Sequence, residues 1–249
     1  MGGSRRDGLS KDLIFIGGLV VVAVALILYL VLPTDNDAAP APGATPSSAS
    51  AVTGPGETAA AGGEGAGLVS VERRLAEDPF ALGSPDAPVV MVMFSDYRCP
   101  FCAKFSRDTE PKLVERFVDS GTLRIEWRDF PIFGEQSMLA ARAGRAAAEQ
   151  GKFWEFNRAV YSAAPERSKA DLPDEVLVDF AEQAGVADLD KFTAGMRGNA
   201  FDGAINADLA QGNSIGVPST PAFLINDVPL LGAQPTEEFV RAITEALEN

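Results

Sequence analysis

Apolar and polar positions divide this chain into three stretches. Leu13 to Leu32 is twenty residues without a single charge. As a helix at about 1.5 Å per residue it would span roughly 30 Å, the thickness of a bilayer core. From Thr34 to Gly67 there is no apolar period, and 28 of 34 residues are Ala, Gly, Pro, Ser or Thr. Such a stretch cannot bury enough apolar surface to offset its ordering entropy, so it reads as a disordered tether. From residue 68 onward the pattern is that of a folded α/β domain. Val71 to Leu82 fits a short helix or strand equally well. Val89 to Phe94 is a continuous apolar run, expected of a strand buried on both faces. A helix follows from about Cys99 to Ser120, with Phe105, Thr109, Leu113 and Phe117 on one face and a bend expected at Pro111. Leu123 to Phe130 alternates apolar with Arg124, Glu126 and Arg128, the pattern of a half-buried strand.

Residues 137 to 214 then read as helical throughout. Ser137 is the expected cap of the first helix, Asp171 or Asp174 starts another, and Asp188 a further one. After this all-helical insert, Ala222 to Ile225 and Val228 to Leu231 form a hairpin about Asn226-Asp227, with Pro229 marking an edge strand. Thr236 is expected to cap a last helix with Phe239, Val240, Ile243 and Leu247 inside. The division is therefore residues 1–12, an apolar span 13–32, a linker 33–67 and a folded domain 68–249.

Charge narrows the possibilities. The net charge is −14, which argues against a nucleic acid partner, because phosphate binding needs a basic face. Arg5, Arg6 and Lys11 precede the apolar span, and no Lys or Arg follows until Arg73. That asymmetry predicts a cytoplasmic N-terminus and an extracytoplasmic remainder, anchored by one transmembrane helix. A cleaved signal peptide competes, with Ala39-Pro40-Ala41 as a small-residue site. However, the apolar run is longer than usual and Pro42 would follow the cut.

The chain holds two cysteines and no histidine. The cysteines form one motif, Cys99-Pro100-Phe101-Cys102. A zinc cage of about four ligands has no further Cys or His to draw on. A structural disulfide closing so short a loop would gain little chain entropy. A redox-active pair fits best. Between a strand and a helix, Cys99 falls at a helix N-terminus, where backbone N–H groups and the helix dipole stabilise a thiolate. Cys99 is then the candidate nucleophile and Cys102, one turn inward, the resolving thiol. Pro100 suits the first helical turn, and Phe101 is expected to stand exposed beside the pair. Arg98, Lys104 and Asp96 read as solvated charges around it.

The segment Phe94-Ser95-Asp96-Tyr97-Arg98-Cys99-Pro100-Phe101-Cys102 resembles the active-site signature of DsbA-like thiol–disulfide oxidoreductases of the thioredoxin superfamily. Arg128-Asp129-Phe130-Pro131, Gly151-Lys152-Phe153-Trp154-Glu155 and Gly216-Val217-Pro218-Ser219-Thr220-Pro221-Ala222-Phe223 resemble further blocks of that family. The resemblance covers about residues 80–249. It implies a thioredoxin fold interrupted by a helical domain, with a cis Thr220-Pro221 bond. It also implies that Pro221 packs against the cysteine pair and that the backbone of Thr220 pairs with an extended substrate segment. Two positions depart from the family. Met93 stands where many relatives carry a buried Glu, and Phe101 where strong oxidants have His.

These features together predict a membrane-anchored, extracytoplasmic enzyme that passes a Cys99–Cys102 disulfide to exported proteins bearing cysteines. A quinone-linked membrane reoxidase would restore the pair. A monomer is expected, with no cofactor and no metal. The alternatives are a reductase or isomerase kept reduced by a membrane donor, and a non-enzymatic peptide-binding domain with a structural disulfide.

Overall fold

The computed structural model describes residues 71–248. The expected transmembrane helix and linker lie outside the described residues. Among the described residues, no helix is long and apolar enough to cross a membrane.

The fold is built on a five-stranded sheet, ordered β1-β3-β2-β4-β5. Its central strand β2 is Val89–Ser95, buried at all seven positions as the continuous apolar run requires. It pairs in parallel with β3, Leu123–Asp129, in the register Val89 to Leu123 through Ser95 to Asp129. On its other side it pairs antiparallel with β4, Ala222–Ile225, which turns at Asn226 into the edge strand β5, Val228–Leu231. Asn226 takes the left-handed conformation (φ 48°) that this tight turn demands. Pro229 therefore sits on an outer strand, as expected. The ambiguous stretch before β2 is neither helix nor strand until its end: residues 71–80 are irregular with turns, Arg74 takes φ 47°, and Ala81–Leu82 forms the short edge strand β1 against β3.

The crossover from β2 to β3 is helical but not one helix. Helix α1, Pro100–Asp108, stops at Thr109, and α2, Glu110–Leu113, runs into a widened π-type turn over Val114–Val118. Pro111 has no N–H to offer the carbonyl four residues earlier, so the break falls two residues ahead of it. The expected face survives: Phe105, Thr109, Leu113 and Phe117 are all buried. Glu110 is carried inward at the break. It is 1% exposed, one carboxylate oxygen has no partner, and Arg158 stands 3.8 Å away. Burial raises its pKa to about 7 despite Arg158. The native state therefore stays protonated while an unfolded chain ionises above the usual value near 4.5. The stability this gives is full below about pH 4.5 and is lost as pH rises through about 7, a few kcal/mol in all. Glu110→Gln should flatten that slope in urea titrations at pH 5 and pH 8.

Five helices separate β3 from β4: α3 (Glu135–Ala148), α4 (Phe153–Ala163), α5 (Asp174–Gln183), α6 (Leu189–Arg197) and α7 (Asp202–Ser214). Asp188 caps α6 through the N–H of Lys191. The start of α3 differs from expectation. It is preceded by Gly134 (φ 89°), and the Ser137 hydroxyl donates to Asp96 instead of capping. Gly144 of α3 lies against the Tyr97 ring so closely that an added methyl would overlap the Tyr97 hydroxyl. This contact joins the helical insert to the sheet. Tyr97 also stacks on Tyr161 and meets Trp127 and Phe156. The last helix, α8, is Thr236–Glu248. It buries Phe239 and Ile243, while Leu247, near its C-terminal end, is exposed. The Thr236 hydroxyl bonds that of Thr109, tying α8 to the break after α1.

The alternation in β3 does not mark a solvent face. Arg124, Glu126 and Arg128 are buried. Both guanidinium groups donate to Glu126 at 2.8 Å. The backbone N–H groups of Arg73 and Arg74 donate to the same carboxylate. Arg128 and Arg124 donate in return to the carbonyls of Val71 and Leu75. The irregular segment 71–75 thus covers what the pattern presented as an exposed row.

Candidate active site

Parallel strand β2 ends at Ser95, and a short loop delivers Cys99 as the residue capping α1, in extended conformation (φ −75°, ψ 120°). Pro100 occupies the first helical position, where no N–H is needed. The loop is held by Asp96, which is buried and not solvated as expected. Its carboxylate accepts from the N–H of Arg98 (2.8 Å), the N–H of Ile132 (2.7 Å) and the Ser137 hydroxyl (2.9 Å). Burial raises its pKa in spite of these donors. Arg98 is likewise committed, donating to the carbonyls of Ala170 and Phe133. Only Lys104, paired with Asp108 on the surface, behaves as a solvated charge.

Both cysteines are free thiols and nearly sealed, Cys99 2% exposed and Cys102 1%. Their environments are opposite in sign. Cys99 is lowered to about 6. The leading cause is the Cys102 thiol donating to it, opposed by burial and helped by Thr220 and the N–H groups of Cys102 and Phe101. Cys102 is pushed well above the usual thiol value by burial and by the adjacent Cys99. The Ser95 hydroxyl reaches Cys102 and pulls slightly the other way. That hydroxyl lies 3.0 Å from the Tyr161 hydroxyl, which also contacts the Asp96 carbonyl at 3.1 Å. Met93, where an acid was missed, is packed into the core. The polar groups beside Cys102 are these two hydroxyls.

Thr220 and Pro221 reach the pair from the far side of the insert. Their peptide bond is cis. The Thr220 carbonyl lies 3.3 Å from Cys99 Sγ, 121 residues away in sequence. The buried Thr220 hydroxyl has no partner among the described residues, so it is available to the thiolate. Pro221 is buried, and its carbonyl accepts from Gly232. Together Cys99, Pro100, Phe101, Thr220, Gly232 and Gln234 border a groove of about 630 Å³. Phe101 is 59% exposed on its rim. The structure brings together the residues expected from the sequence: Cys99 and Cys102, Pro100 and Phe101, and the Thr220-Pro221 edge. Sequence reasoning missed Asp96 as an anchor and Ser95 with Tyr161, whose only sequence signal is a hydroxyl at the end of a buried strand. No group of three or more Cys, Asp or Glu placed to hold a metal occurs among the described residues.

The thioredoxin family model matches residues 75–245. Disulfide bond formation protein D of Bacillus subtilis is 25% identical over 169 residues, 67% of this chain and 76% of that one. The Na(+)/H(+) antiporter NhaA 3 of Salinispora tropica is 33% identical over 146 residues, 58% of this chain but only 21% of the antiporter. Among solved structures, a thioredoxin-like oxidoreductase from Silicibacter pomeroyi is similar with a TM-score of 0.59 at 28% identity, over 71% of this chain and 97% of that one. Oxidised BdbD from Bacillus subtilis shares the fold at 24% identity, with a TM-score of 0.64 over 68% and 93%. With its sheet order, its helical insertion and a thiol pair split in acidity at a helix N-terminus, the chain belongs to the thioredoxin superfamily as a DsbA-like thiol–disulfide oxidoreductase.

Proposed function

We propose that the enzyme works as an oxidant of exported proteins, held at the membrane by Leu13–Leu32 with its catalytic domain outside. The observation that carries this is the split acidity of the pair, Cys99 lowered to about 6 and Cys102 raised. A stabilised Cys99 thiolate favours the reduced form, which makes the disulfide a better electron acceptor. At about 6, Cys99 lies between the thiolates of thioredoxin (about 7) and of the strongest oxidants of the family (about 3.5). Phe101, which gives the thiolate no hydrogen bond from its side chain, is in keeping with that middle position.

In the proposed cycle a substrate thiolate attacks Cys99 Sγ and the Cys99–Cys102 bond breaks. Its electron pair goes to Cys102 Sγ, where the Ser95 hydroxyl meets the new charge. Thr220 presents its backbone to the substrate segment beside Cys99, and Pro221 closes the floor. A second substrate thiol then attacks the mixed disulfide, releasing the oxidised substrate and a Cys99 thiolate. A quinone-linked membrane protein would withdraw the electrons, and the enzyme would act as a monomer.

The test is trapping. The full-length Cys102→Ser variant, expressed in its export-competent form, should accumulate reductant-sensitive mixed disulfides with exported proteins, formed when its Cys99 thiolate attacks one of their disulfides, one sulfur leaves as a thiolate, and no Cys102 thiol remains to resolve the adduct. A folded variant that traps none would contradict the reading. The acidity split is checked separately by alkylation of the reduced protein. The rate should titrate with a midpoint near 6 and report Cys99 alone, because thiolate rather than thiol reacts. Ser95→Ala should slow attack on the enzyme disulfide by about tenfold or more, the effect of one lost hydrogen bond to a charged group. Tyr161→Phe should act in the same direction, as read in stopped-flow.

A further inference from the structure

We propose that the groove beside Cys99 selects substrate segments carrying carboxylates next to the reacting cysteine. The inference rests on the exchange reading above and concerns the same site. The charged side chains that line the groove are Arg167 and Lys169, with no Asp or Glu among its lining residues. This occurs in a chain of net charge −14. Nor are these two cations spoken for. Among the described residues, twelve Lys and Arg residues pair with carboxylates. Arg98 and Arg107 are committed to carbonyls. Only Lys112, Arg116, Arg167 and Lys169 are left without either kind of partner, and two of those four face the groove.

The loop that carries them is fixed at both ends. Between α4 and α5 it is bolted by Arg107 to the Ala164 carbonyl (3.1 Å). Reciprocal bonds join Arg98 and Ala170, and Gln136 accepts from the N–H of Leu172. Lys169 Nζ stands 4.6 Å from the centre of the Phe133 ring, which also lines the groove. The two cations therefore line the same groove as Cys99 without an ion-pair partner, with Arg167 also bordering the adjoining cleft that holds Glu166 and Asp108. An incoming thiolate with flanking carboxylates gains their attraction during encounter, and one with flanking lysines meets repulsion. Rim charges of this kind act on association rates and are screened by salt.

The test uses the full-length oxidised protein and three single-cysteine peptides whose neighbours are Glu, Ser or Lys. The step read is formation of the mixed disulfide, in which the peptide sulfur bonds Cys99 Sγ and the Cys99–Cys102 bond breaks onto Cys102. Rates are compared at equal thiolate concentration, by acid quench and mass analysis. At low salt the Glu peptide should react about tenfold faster than the Lys peptide. The ratio should fall toward one at 0.5 M salt (roughly a 4 Å screening length), and it should invert in Arg167→Glu/Lys169→Glu, both exposed positions. Equal rates for the three peptides, or a ratio unchanged by the double charge reversal, would overturn this inference while leaving exchange intact. No reaction with any peptide would overturn both.

Discussion

Cys99→Ser is expected to lower disulfide exchange by at least a thousandfold, with Cys102 unable to stand in. Cys102 has its thiol pushed well above the usual value by burial and by its neighbour. Burial, the largest cause and the one that remains when Cys99 is replaced, disfavours the Cys102 thiolate at neutral pH. Access removes the rest. Cys99 borders the groove and Cys102 does not. In the serine variant the remaining thiol sits behind the vacated position and has no path to a substrate sulfur. Turnover of a model dithiol peptide, monitored with a fluorescent reporter, measures the effect. Cys102→Ser should behave differently: it cannot form the enzyme disulfide and so loses turnover, but its Cys99 thiolate still attacks a substrate disulfide and remains in the mixed disulfide. A Cys99→Ser enzyme with more than about a tenth of normal turnover would mean that the roles are reversed.

The second large effect is on stability and lies away from the thiols. Glu126→Ala is expected to cost about 3–5 kcal/mol, because it leaves two buried guanidinium groups without their shared partner. Burial by itself would raise the Glu126 pKa. The N–H groups of Arg73 and Arg74, with Arg124 and Arg128, overcome this and hold it at about 2. A folded pKa below the unfolded value means that this stability is present above about pH 4.5 and is lost as pH falls toward 2. The same carboxylate anchors segment 71–75, so the variant should also expose that segment to proteases. Urea midpoints at pH 7 and limited proteolysis measure both consequences. Replacing Arg124, Glu126 and Arg128 together with apolar residues of similar volume should be far less damaging, since no buried charge is then left unpaired.

Glu126 also shows where the amino-acid sequence misleads. Period-two alternation signals that one face of a strand differs from the other. It does not say what lies over the polar face. In β3 that face is covered by residues 71–75, about fifty positions earlier, and by Asp208 and Gln211 of α7, about eighty later. Nothing local encodes either contact. Asp96 is a similar case. Directly after the end of a buried strand it looks like a solvated charge. Its partners at Ile132, Phe133 and Ser137 are more than thirty positions away. The features that could be read were those whose cause is local. Continuous apolar sequence made β2. Pro100 and its position after a strand set the helix start at Cys99. Asn226-Asp227 made the hairpin, and Pro229 its outer strand. The meeting of Thr220 with Cys99 came only through family resemblance, because no spacing rule brings together residues 121 positions apart. Ser95 and Tyr161 were invisible for the same reason.

The measurement that bears most directly on the central claim is the reduction potential of the Cys99–Cys102 pair in the full-length protein, from equilibration with glutathione of known ratio. The structure lowers Cys99 and raises Cys102, which favours the reduced form and predicts a potential between about −120 and −180 mV. A potential below about −250 mV, in the range of cytosolic reductants, would contradict an oxidising role and place the enzyme among the reductases.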